Sequence, residues 1–164
     1  MKYIILIYLL MVTQAETKLL NVTSSAFPNK SSIPQKYSCE GENINPPLEI
    51  NVIPKGTKSL VLIIEDPDAK GGTFVHWVLW NIEPAYTIAE NSAPGIQGEN
   101  SSGTNMYIGP CPPEGKHRYY FRVYALDEML DLDRSSDKDA VRDAMVKHIL
   151  AEGTLIGDYE KKNN

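Results

Sequence analysis

The side chains best suited to chemistry fall in three short groups. Asp66-Pro67-Asp68 closes one strongly apolar run, and His76 opens a second. Gly109-Pro110-Cys111-Pro112-Pro113 leads into His117-Arg118-Tyr119. Two imidazoles can donate N–H bonds to phosphate or carboxylate oxygens, Tyr119 adds a hydroxyl, and Gly109 lets a backbone N–H come close. In that reading Asp66 and Asp68 orient imidazoles or cap loop amides rather than touch the anion. Pro110 and Pro112 supply a stiff, apolar wall. A second reading makes Asp66, Asp68, His76 and His117 a divalent-ion or hydrolytic set. No HxH or HExxH spacing and no GxSxG elbow accompanies it. A plainer alternative stands beside both: Asp-Pro-Asp is a common turn, and a histidine beside an apolar strand is often a packed core residue.

These groups must be carried by strands. Leu60 to Glu65 is almost continuously apolar, as in a strand buried on both faces. Phe74 to Ile82 is similar: strict alternation puts Phe74, His76, Val78, Trp80 and Ile82 on one face and Val75, Trp77 and Leu79 on the other. His117 to Leu126 alternates clearly, with His117, Tyr119, Phe121, Val123 and Ala125 toward the core. Further strands are expected at Thr17 to Ala26, at Leu48 to Ile53 (Leu48, Ile50 and Val52 inward), and at Thr154 to Tyr159. Glu83 to Thr104 reads as a long irregular loop. One helix is expected from Asp137 to Glu152, capped by Ser135 or Ser136 and ended by Gly153. Its apolar stripe includes Val141, Ala144, Met145, His148 and Ile149, with His148 as a packing residue. Many strands, turn-rich links and one late helix point to a mainly β protein: an antiparallel β-sandwich with a peripheral C-terminal helix. Strand ends in such a sandwich cluster at its rims, where the three groups can meet.

The chain has 164 residues, of which 16 are Lys or Arg and 21 Asp or Glu, for a net charge of −5. One domain is expected. The mild acidity provides no clustered basic surface for nucleic acid. Lys2 followed by the apolar run Tyr3 to Val12 and Thr13-Gln14-Ala15 reads as a signal peptide over residues 1–15, with the domain at 16–164. The run is short for a membrane span. A secreted or periplasmic protein is therefore expected, monomeric or homodimeric. Two cysteines in an exported chain make a Cys39–Cys111 disulfide the expected pairing. No metal and no other cofactor is expected.

Taken together, DPDA at Asp66 to Ala69, HWVLWNI at His76 to Ile82, GPCPPEGKHRY at Gly109 to Tyr119 and HILAEGTLIGDY at His148 to Tyr159 resemble the phosphatidylethanolamine-binding protein family, also called Raf kinase inhibitor proteins. The last two motifs look like its bacterial YbhB/YbcL-type branch. The resemblance implies a large central sheet packed on a smaller one, and a small preformed anion pocket at one rim. By motif position that pocket would involve Asp66, Asp68, His76, Gly109, Pro110, Pro112, His117 and Tyr119. It also implies a non-catalytic protein that binds phospholipid headgroups or small anions. The alternative is a serine protease inhibitor or other protein-interaction regulator, and a hydrolase or metal-dependent enzyme comes third. Two departures stand out. Lys70-Gly71-Gly72 replaces a Pro-containing continuation of DPDA, and GPCPP carries an extra Cys-Pro. The export signal argues against a cytosolic kinase as partner.

Overall fold

Every residue from Ser59 to Asp66 is buried, which is why this stretch lacks the usual apolar–polar alternation. The computed structural model describes residues 18–162; the expected signal peptide lies outside them. In chain order the strands are β1 (Lys18–Leu19), β2 (Asn21–Thr23), β3 (Ser31–Ser32), β4 (Leu48–Asn51), β5 (Ser59–Asp66) and β6 (Phe74–Ile82). Then come β7 (Thr87–Ile88), β8 (Ile96–Gln97), β9 (Lys116–Leu126), the helix α1 (Lys138–Met145) and β10 (Ile149–Glu160).

The larger sheet runs β1-β10-β9-β5-β6-β8, with β3 also pairing β10; the smaller one runs β2-β4-β7. All ladders are antiparallel except those of β1 and β3 with β10. One core fills the space between the sheets, with Val22, Leu48, Ile50 and Ile88 against Leu62, Ile64, Trp77, Phe121 and Leu155. A second core joins the opposite face of the larger sheet to α1, through Val61, Ile63, Val78, Trp80, Val141 and Met145. The result is three layers, as expected for a sandwich with a peripheral helix.

Four local expectations need correction. The chain from Asp137 to Glu152 is not one helix. α1 ends at Met145, and Ile149 already belongs to β10, which pairs with β9 along its whole length. The ladder outweighs the helix propensity of Ala151 and Glu152. Gly153 is not a helix stop but a mid-strand position where a Cβ would lie 2.4 Å from the Leu20 carbonyl oxygen. The cap is Asp137, whose side chain accepts from the Ala140 N–H at 3.0 Å, not Ser135 or Ser136. His148 is half-exposed and bonds Asp127 at 2.9 Å rather than packing in a core.

Strand boundaries shift as well. The expected first strand splits into β1 and β2, which join different sheets. β4 stops at Asn51, and Val52 turns outward, 68% exposed, with φ of 66°. The segment Glu83 to Thr104 holds two short strands, β7 and β8, within its loop.

The alternation expected for β6 fails twice. Ile64 pairs with Trp77 but Glu65 with Val75, so His76 is an extra residue, a β-bulge. A second register shift falls between Leu60 and Leu62, near Asn81 with φ of 54°. Trp77, Leu79 and Ile82 therefore face the smaller sheet, while Val75, Val78 and Trp80 face α1.

Candidate functional site

The bulge decides where His76 points. It brings the imidazole to the Tyr119 side of the sheet, with ring centroids 5.2 Å apart, and edge-on to Phe74 at 4.8 Å. Here the C-terminal end of β5, the start of β6, the start of β9 and the loop before β9 enclose a cavity of about 230 Å³. Asp66, His76, His117 and Tyr119 form its polar side, and Phe74, Ile108, Pro112 and Pro113 its apolar side. The three groups singled out above thus meet at one rim.

Asp66 is 4% exposed and both its oxygens are engaged. Oδ1 accepts from the Asp68 N–H at 2.8 Å, an Asx turn that closes the end of β5. Oδ2 is 2.7 Å from His117 Nδ1, so that nitrogen carries a hydrogen and Nε2 is left for a ligand. His76 Nδ1 lies 2.7 Å from the Ile108 carbonyl oxygen. A carbonyl only accepts, so His76 too is protonated at Nδ1, and Nε2 is its remaining ring nitrogen. Burial foremost holds the His76 pKa below its ordinary value; the Ile108 carbonyl and Asp66 oppose this, and His117 adds to it.

Tyr119 is 1% exposed, and its hydroxyl has no hydrogen-bond partner among the described residues. Burial, reinforced by the Asp66 charge, pushes its pKa up; the Cys111 backbone N–H opposes this from nearby without reaching hydrogen-bond geometry. The group is therefore a neutral phenol with a proton to offer. An orphaned buried hydroxyl costs free energy, on the order of 1–3 kcal/mol, that a ligand oxygen can recover.

Three expected site residues stand behind the cavity rather than in its lining. Asp68 turns to Arg118, accepting from its backbone N–H at 2.9 Å, Nε at 2.8 Å and Nη2 at 2.6 Å. That guanidinium lowers the Asp68 carboxyl to about 2. The Gly109 N–H donates to Asn43 Oδ1 at 2.8 Å; a Cβ there would sit 2.2 Å from the Tyr37 carbonyl oxygen, so only glycine fits. The Pro110 carbonyl accepts from the Cys39 N–H at 3.1 Å. Pro112 does line the cavity and is buried. Cys39 and Cys111 are joined, with Cα atoms 5.4 Å apart, and Cys111 also reaches the cavity. Phe74, Ile108 and Lys70 are lining residues that sequence reasoning does not select, and Pro113 lines the cavity although only Gly109, Pro110 and Pro112 of its group are assigned to the pocket. The bulge at His76 has no readable signal, whereas Ile108 directly precedes the GPCPP motif.

A larger hollow of about 350 Å³ lies between Glu99, Asn100, Ser101, Asp137 and Lys138. Several of its polar groups are already engaged within the fold. Asn100 Oδ1 accepts from Ser102 and Thr104, Ser101 Oγ accepts from the Val75 N–H, Asp137 caps α1, and Lys138 pairs with Glu65 at 3.4 Å. The smaller cavity, with its orphaned hydroxyl and two free imidazole edges, is the better candidate.

Comparison with known proteins gives a consistent picture. Residues 23–160 match the family model described as phosphatidylethanolamine-binding protein. A UPF0098 protein of Methanothermobacter thermautotrophicus is 46% identical over 150 residues, covering 87% of this chain and 99% of that protein. A UPF0098 protein of Chlamydia trachomatis is 43% identical over 152 residues, covering 87% and 99%. Among solved structures, a phosphatidylethanolamine-binding protein homolog from Chlamydia trachomatis superposes with a TM-score of 0.85 at 42% identity, covering 89% of this chain and all of that one. YbcL of E. coli, described as a member of the mammalian family, gives 0.80 at 28% identity, covering 87% and 99%.

Proposed function

The chain belongs to the phosphatidylethanolamine-binding protein family, and we propose that it binds a small anion, a phosphate or a phosphorylated headgroup, without turning it over. The observation that carries this reading is Tyr119, a residue of the cavity lining whose buried hydroxyl has no partner among the described residues. A ligand oxygen would accept from it. His117 and His76, each tied at Nδ1, would add Nε2–H donors once protonated. Phe74 and Pro113 would cover the ligand's carbon skeleton.

Binding rather than catalysis is supported by how the reactive groups are committed. Asp66 spends one oxygen on a loop N–H and the other on His117, leaving it an orienting group rather than a base. The raised pKa of Tyr119 suits a donor, not a nucleophile. The Cys39–Cys111 bridge is solvent-exposed, which supports an oxidising compartment and hence export to the periplasm or outside the cell.

Calorimetric titration with inorganic phosphate and phosphorylethanolamine tests the reading. Binding to the wild-type protein, weakened about tenfold or more by Tyr119→Phe and by His117→Gln, is expected for lost donors to an anion. No binding of either probe, or binding indifferent to both substitutions, would overturn it.

A further inference from the structure

Lys70 and Glu114 form an ion pair between two loops that flank the cavity. Lys70 sits in the turn between β5 and β6 and lines the cavity; Glu114 follows Pro113 in the loop before β9. The pair therefore ties together two loops that border the cavity. Both side chains are mostly exposed, 75% and 70%, so the contact is a weak one. The flanking backbone is permissive: Gly71, Gly72 and Gly115 have φ of 91°, 124° and 67°, with open space around each. Lys70 can exchange Glu114 for another anion with little rearrangement.

The charges inside the cavity indicate which anion. Both Asp66 oxygens are engaged, one by the Asp68 N–H and the other by His117 Nδ1. Burial opposes an imidazolium at His76. The flexible cation on the cavity lining that a ligand with two negative charges can recruit is the Lys70 ammonium. We infer that Lys70 acts as a charge-selecting gate, held by Glu114 in the empty pocket and transferred to the ligand on binding, so that the site prefers a phosphate monoester dianion to a phosphodiester monoanion such as a lipid headgroup. This inference rests on the anion-pocket reading given above.

The test uses methyl phosphate and dimethyl phosphate, probes of similar size that differ by about one charge near pH 7. The expected result is tighter binding of methyl phosphate by the wild-type protein. Lys70→Gln should weaken methyl phosphate about tenfold and dimethyl phosphate by less than about twofold, the signature of one lost charge-assisted bond. Glu114→Gln should tighten methyl phosphate, and that gain should vanish in the Lys70→Gln background. Equal loss for both probes, a wild-type preference for the diester, or a Glu114→Gln gain that survives without Lys70 would each overturn the gate. Failure of the wild-type protein to bind either probe would instead sink the anion pocket itself, and the gate with it.

Discussion

His117 Nδ1 and Asp66 Oδ2 meet across 2.7 Å, joining adjacent strands β9 and β5 where both side chains are nearly excluded from solvent. This one contact fixes the tautomer of the imidazole and fills the second lone-pair site of a carboxylate that already holds a loop N–H. Removing either partner strands the other in a dry environment.

Asp66→Asn should therefore lower stability by about 1–3 kcal/mol, the usual cost of breaking a buried hydrogen-bonded pair. It should also weaken phosphate binding, because an amide that can present N–H as well as oxygen no longer fixes the orientation and tautomer of His117. Urea unfolding and calorimetry on the same variant separate the two effects. An unchanged unfolding midpoint would show that the pair is dispensable for the fold.

The pH dependence has a definite sign. His76 is held below its ordinary value of 6.5 by burial, so the unfolded chain takes up a proton before the folded one does. Stability should fall as the pH drops through about 6.5 and level off below the folded pKa of His76. Asp68, held at about 2 by Arg118, contributes stability above its ordinary 3.8 that is lost only as the pH falls toward 2. Anion affinity should move oppositely, rising on acidification as Nε2 of His76 gains a proton. The facing groups Asp66, Tyr119, Lys70 and Glu114 are part of the same field. Sulfate keeps its charge across about pH 5–8 and is the suitable probe for this imidazole range. His76→Asn should flatten the stability profile near pH 6; an unaltered profile would assign the slope elsewhere.

Reduction of the Cys39–Cys111 bridge opens a loop with a sequence separation of 72 residues. Loop-closure entropy puts the expected loss at about 4 kcal/mol. The bridge also anchors one cavity wall, so reduced protein should bind phosphate more weakly at temperatures where it remains folded. Melting curves with and without reductant, each with added phosphate, read both effects. Identical melting temperatures would mean that the bridge adds nothing to stability.

Val52 is a β-branched, exposed residue with φ of 66°, a backbone region that L side chains avoid. Val52→Gly should raise stability by about 1 kcal/mol, since relief of the left-handed penalty exceeds the added chain entropy. Chemical denaturation checks the sign directly, and a destabilised variant would count against strain at this turn.

Much of this site could be read from the residues because its carriers are long, apolar strands. β5, β6 and the inward face of β9 were recognisable from composition and period, and the polar groups at their ends come together at one rim. The rest depends on geometry that sequence does not encode locally. The bulge at His76 and the second register shift near Asn81 arise from the pairing of β6 with β5, so strict alternation wrongly groups Val75 with Trp77 and Leu79, and Ile82 with Val78 and Trp80. Ile149 to Glu152 carry helix-forming residues but lie beside β9, whose ladder claims them. Asp68, Gly109 and Pro110 have site-like chemistry, yet Arg118, Asn43 and Cys39 occupy them from behind. Lys70 drew notice only as a departure from a family pattern; its partner, 44 residues away, is visible only in three dimensions.

β10 lies between β9 on one side and the short β1 and β3 on the other, although it follows all the other described elements in the chain. Among the described residues neither β1 nor β3 pairs with any other strand. The larger sheet consequently cannot close until β10 has been made. Until then β9 presents an open edge and β1 and β3 wait for their partner, while β2 can already pair with β4. A truncation that removes β10 would therefore strip β9 of its partner and leave β1 and β3 with nothing to pair with, a route to aggregation.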